Sequence, residues 1–179
     1  MDICIVGLWQ AASGDAAAAT RAATRLRSAI APESGVSTTY IPLCAAILDA
    51  EAASAEHSPA AAAALDRLDS MATERPSTNA YILLAATATV ARLREAAGDN
   101  LAALAATRRR PYVYGSDGTV GLSSLLREEG RLAALTGDRE GAIHAYQHYL
   151  RLRRNPDPRH AAEAADVKRA LAELSPDRP

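Results

Sequence analysis

The chain has 179 residues, enough for one sizeable core, and 49% of them are hydrophobic, which excludes a disordered polymer. A formal net charge of −1 argues against a general nucleic-acid binder, and the positive charge is almost wholly arginine, with Lys168 the only lysine. Alanine supplies about a quarter of the residues while phenylalanine is absent and Trp9 is the one tryptophan, so thin, closely packed helices are favoured over sheet.

The first helix is predicted over Asp2 to Ala12, Ser13-Gly14-Asp15 breaks it, and Ala16 to Ile30 forms the second. Ala31 to Gly35 closes that unit. Thr38 to Ala55 reads as the third helix, with Tyr40, Leu43, Ile47 and Leu48 apolar and Pro42 near its start, where proline is tolerated. Ser58 as N-cap and Pro59 open the fourth, which runs through Leu65, Leu68 and Met71 to Thr73. After a loop over 74–78, Asn79 to Ala97 is the fifth helix, Gly98-Asp99 turns the chain, and Asn100 to Arg109 is a short sixth.

The segment Arg108 to Gly118 is the one long irregular stretch, with three arginines, Pro111, Tyr112, Tyr114 and two glycines, and it is expected to be a hinge, a specificity loop or a packed linker. Leu122 to Leu135 then sets a helical period, Thr136-Gly137-Asp138 breaks it, and an eighth helix follows with Ala142, Ile143, Tyr146, Tyr149 and Leu150 on one stripe. Asn155-Pro156-Asp157-Pro158 stops it. Arg159 to Leu174 is a ninth helix with Ala162, Ala165, Val167, Leu171 and Leu174 toward the core, and 175–179 is a frayed tail.

In the hairpin formed by the seventh and eighth helices, Leu126, Gly130, Gly137, Ala142 and Tyr146 resemble the spaced pattern of the tetratricopeptide repeat, although Ala133 stands where a tyrosine is common. The pattern recurs within the chain. Ile3, Gly7, Gly14 and Ala19 have the same mutual spacing, as do Ala91, Gly98 and Ala103. Leu125 to Leu174 also resembles the carboxy-terminal repeats of some multidomain bacterial regulators, and the abrupt apolar start around Trp9 suggests either a preceding domain or another subunit. The fold class expected is therefore all-α. One domain over 1–179 forms an α-solenoid of four tetratricopeptide-like hairpins, at 1–31, 37–74, 79–110 and 121–154, with a capping helix at 159–174.

The resemblance implies a non-catalytic scaffold that binds a protein or peptide on its concave face. It transfers groove-facing roles to Cys4 and Leu8, to Ile47 and Glu51, to Arg92 and Glu95, and to Arg127 and Arg131. Such a groove suits a ligand with an apolar anchor and an acidic residue or free carboxylate. Pairing of these arginines with Glu95 and Glu128 on a wet surface is the competing reading. Self-association or intrachain regulation through the first hairpin is the alternative function, and an enzyme with an unrecognised site a more distant one.

Motifs for other chemistry are not evident in the sequence. His144 and His148 stand one turn apart with Glu140 a turn earlier, but a solvated helix face explains them without a metal. No phosphate-cradling loop or nucleophile elbow occurs, and no cofactor is expected. Cys4 and Cys44 are read as small buried hydrophobes in a reducing compartment. Without a basic leader or an apolar run longer than Ala80 to Ala91, the chain is expected to be cytoplasmic and not to span a membrane.

Overall fold

Residues 2–28, 40–74, 80–109 and 121–174 are described by a computed structural model, and they contain nine α-helices and no strand. The helices are α1 (Asp2–Ala12), α2 (Ala16–Ser28), α3 (Ile41–Ala55), α4 (Ala61–Glu74), α5 (Ala80–Ala96), α6 (Asn100–Arg108), α7 (Leu122–Leu135), α8 (Arg139–Leu152) and α9 (Ala161–Leu174). A 3-10 turn, Pro158–His160, leads into α9 where the ninth helix was expected to begin. Of the expected irregular segment only Arg108 and Arg109 fall among the described residues, and both belong to the end of α6; Tyr112 and Tyr114 lie outside them.

Three hairpin turns share one solution, written in the sequence as Gly-Asp. Gly14, Gly98 and Gly137 take the left-handed conformation, with φ near +83°, +83° and +82°, which only glycine enters without strain. The following Asp N–H then reaches back to a carbonyl of the last helical turn, as in Asp138 N to Ala133 O at 2.8 Å. The same aspartates cap the next helix: Asp15 accepts from Ala18 N, Asp99 from Ala102 N and Asp138 from Gly141 N, at 2.8, 3.0 and 2.9 Å. Each such cap stabilises its helix by about 1 kcal/mol. The turn between α3 and α4 keeps the geometry without the residues, because His57 occupies the left-handed position at φ 51° and Ser58 Oγ accepts from Ala60 N.

Small side chains let the paired helices approach. Gly130 on α7 faces the Tyr146 ring on α8, and a Cβ there would fall inside the ring's van der Waals envelope. Ala142 and Ala145 on the same face of α8 are fully buried. Every helix packs on its neighbours in sequence, and α1 packs on α3 as α3 does on α5. The first helices of the first three hairpins are thus side by side. By contrast α5 and α7 make little or no direct backbone contact, and α6 fills the joint between them, packing on both.

The core divides at that joint. One cluster runs through α1 to α5 and includes Ala106 of α6, whereas Ala103 and Leu104 of α6 join Leu132, Ala133 and Ala142 in another. A third gathers Leu126, Tyr146 and Tyr149 beneath Ala164 and Val167 of α9. The expected apolar stripe of α9 is therefore shifted: Ala164 is buried, while Ala162 and Ala165 face solvent. Alanines on all sides leave too little hydrophobic contrast to orient that helix from the sequence.

The reading of the cysteines is corrected. Cys4 and Cys44 are not free thiols but a disulfide, fully buried, joining α1 to α3 with 6.0 Å between their Cα atoms. Their separation of 40 residues is one repeat, which sets equivalent positions of neighbouring first helices opposite each other.

His57 is the only described non-glycine residue with positive φ, a conformation that costs about 1–2 kcal/mol for a residue with a Cβ. Because its side chain is exposed, His57→Gly should raise stability by roughly 1 kcal/mol after glycine's extra chain entropy is subtracted. Denaturant unfolding of the two proteins checks this; an unchanged or lowered midpoint would show that the imidazole makes an offsetting contact.

Candidate ligand-binding cleft

Where α5 and α7 stand apart, the structure opens a cleft of about 500 Å³. Its walls are apolar: Leu84, Ala85, Ala88 and Ala91 come from α5, Leu125 and Leu132 from α7. Thr107 lies at the base, where its hydroxyl donates to Leu104 O at 2.7 Å and so presents no free donor. Arg92, Glu95 and Glu128 stand at the rim. Cavities of this size and composition lie within the range that accepts a small ligand or the side chains of a bound peptide.

The rim charges are satisfied by one another. Arg131 forms a two-pronged contact with Glu95, at 2.8 and 2.6 Å, and its Nε donates to Glu128 at 2.9 Å. The bridge spans the cleft from α7 to α5. Hydrogen bonding to Arg131 holds the Glu95 carboxyl below its ordinary value, and the same bond to Glu95 raises Arg131. Arg92 pairs with Glu51 of α3, which also accepts from the Thr89 hydroxyl at 3.2 Å. Arg127 binds Glu163 of α9 at 2.5 Å and Glu128 at 3.3 Å.

These contacts sort the groove positions expected from the repeat. Glu51, Arg92, Glu95, Arg127 and Arg131 are drawn together into one line of charge across α3, α5, α7 and α9, and Arg92 and Glu95 border the cleft. Cys4 and Ile47 face the core instead, both fully buried, so neither presents its side chain to a ligand, and Leu8 packs partly buried against the same core. The apolar surface lies farther along, on Leu84, Ala85, Ala88 and Leu125, which no spacing rule singled out. Arginines expected to receive a carboxylate already hold one from the chain itself, a repeat away in sequence.

No group of three or more His, Cys, Asp or Glu side chains is placed to hold a metal ion among the described residues, and no helix of the described part is long and apolar enough to cross a membrane. Comparison with protein-family models, with curated proteins and with solved structures finds no match to this chain.

Glu163 also serves α8. The Tyr149 hydroxyl donates to it at 2.6 Å, and burial first, then this hydrogen bond, pushes the phenol up to about 12 from its ordinary 10.0. A raised folded-state value favours the neutral phenol, so its contribution to stability is complete below pH 10 and is lost as pH rises through 12. Tyr149→Phe should therefore lessen the fall in stability between pH 10 and 12. Equal slopes for variant and parent in alkaline unfolding would show that Tyr149 is not the group responsible.

Proposed function

We propose that the protein is a non-catalytic binding scaffold, a tetratricopeptide-like solenoid whose row of first helices receives an extended or helical peptide from a partner protein. The cleft between α5 and α7 carries this reading, because it is the place where the row opens and exposes a concave apolar surface. The paired rim makes the ligand's character narrower than the sequence implied. An apolar anchor, leucine-sized or aromatic, matches the Ala and Leu walls; an acidic residue beside it would have to compete with Glu51, Glu95 or Glu128 for its arginine.

The titratable groups around the cleft support binding over catalysis. Its ionisable side chains are rim carboxylates and guanidiniums in mutual pairs, with no cysteine, histidine or lysine among the described lining residues to act as nucleophile or base. The internal disulfide weighs on the setting. Buried disulfides persist in oxidising compartments, which favours such surroundings over the cytoplasm.

Ala88 is exposed at the cleft wall, so Ala88→Trp would fill the opening without disturbing the buried core. Peptides selected from a random display library against the parent protein should lose at least tenfold in affinity for this variant, about 1.4 kcal/mol or more. Selected peptides that bind parent and Ala88→Trp alike would place the ligand elsewhere.

A further inference from the structure

A second surface lies on the first hairpin. Between α1 and α2 runs a groove of about 320 Å³ with an apolar wall of Ile3, Val6, Ala18 and Ala22 and two arginines, Arg21 and Arg25, on its α2 side. Beside it on α1, Ile5, Val6 and Trp9 are 56%, 52% and 69% exposed. Those positions are neighbours at helical spacing, so they form one patch. We propose that this groove is a docking surface for an acidic amphipathic helix of another polypeptide.

Charge complementarity identifies the occupant. None of the described residues lining the groove is acidic, and neither Arg21 nor Arg25 has an ion-pair partner among the described residues. Among the described residues, Asp15 caps α2 through Ala18 N, and Asp49 pairs with Arg27, two residues beyond Arg25. The contrast with the cleft is direct, since there each rim arginine has its own carboxylate. Arg21 and Arg25 stand one helical turn apart, about 6 Å along the axis, which is the spacing of glutamates at i and i+4 on a partner helix. Leucines on the adjoining stripe of that helix would cover Val6 and the Trp9 ring.

A second copy of this chain is the less suitable occupant. A twofold contact uses the same patch on both sides and needs it to be self-complementary. Here it would bring Arg21 and Arg25 toward their own copies with no acidic residue of the groove to offset them. A helix with carboxylates beside its apolar stripe has no such cost.

Trp9 is the chain's only tryptophan, so its emission reports on the surface directly. The probe is a synthetic, N-acetylated helical peptide of about five turns, with leucines at i, i+3, i+4 and i+7 and glutamates flanking them at four-residue spacing. A second probe carries lysine at each glutamate. The expected result is a saturable blue shift of Trp9 emission with the glutamate peptide, weakened by salt, and at least tenfold weaker binding of the lysine peptide. Arg21→Glu with Arg25→Glu, both at exposed positions and so compatible with an unchanged helical circular dichroism spectrum, should reverse the preference. Three results would each overturn the proposal: no shift at millimolar peptide, equal affinity for the two peptides, or undiminished binding of the glutamate peptide by the double variant. A blue shift that follows protein concentration alone, with a dimer in sedimentation, would overturn it in favour of self-association. None of these outcomes bears on the α5–α7 cleft, which Ala88→Trp tests separately.

Discussion

Close approach of helices through small side chains is the constraint on which the rest of this structure depends. A methyl at Gly7 would lie 2.9 Å from the Ala22 Cβ and 3.0 Å from Leu48 Cδ1, so α1 approaches α2 closely and the Leu48 side chain of α3 packs directly on the α1 backbone. Ala19, Ala23, Ala86, Ala103 and Ala106 are likewise fully buried. An alanine buries little area, yet it loses no rotamer entropy on folding and lets the backbones themselves supply the dispersion contacts. That trade explains how a chain without phenylalanine packs its buried clusters. Of the large fully buried side chains, Ile47, Leu48 and Leu68 fill the core of the first half, while Tyr149 and Leu126 sit where α7, α8 and α9 converge and small residues alone would leave a void.

Along the row of first helices the links differ in strength, and the difference places the cleft. The Cys4–Cys44 bond ties α1 to α3 across 40 residues, a closure that stabilises by about 4 kcal/mol on chain-entropy grounds. Packing and the Glu51–Arg92 pair join α3 to α5. Between α5 and α7 the direct tie is the Glu95–Arg131–Glu128 bridge, whose members are partly exposed. Such pairs contribute roughly 0.2–1 kcal/mol each, too little to draw two helices together, so α6 holds the joint and the space above it stays open. On the other side of α6, Arg94 and Arg109 converge on Asp69 of α4, which fixes α6 against the first half of the chain.

Much of the fold was legible because its turns are chemically explicit. Gly14-Asp15, Gly98-Asp99 and Gly137-Asp138 mark three hairpins with both a helix stop and a helix start. Legibility ended where alanine erased the contrast between faces: α9 buries Ala164 rather than its neighbour Ala165, and Ile47 turned inward instead of toward a groove. The disulfide and the ion pairs did leave a trace. Their partners lie 40, 41 and 36 residues apart, close to the repeat length, so pairing chemically complementary residues one repeat apart would have found Cys4–Cys44, Glu51–Arg92 and Glu95–Arg131. The cleft left none, because a gap between two backbones is not a property of any residue pattern.

The central claim is that α5 and α7 enclose an apolar site able to take a partner's side chain. The most direct measurement is a titration of the isotopically labelled protein with N-acetyl-leucine amide, an uncharged mimic of the anchor, followed by amide chemical shifts. The account predicts perturbations centred on Ala88, Ala91 and Leu125 that saturate together. Unmoved resonances at these positions up to the solubility limit, or shifts centred on other helices, would contradict it.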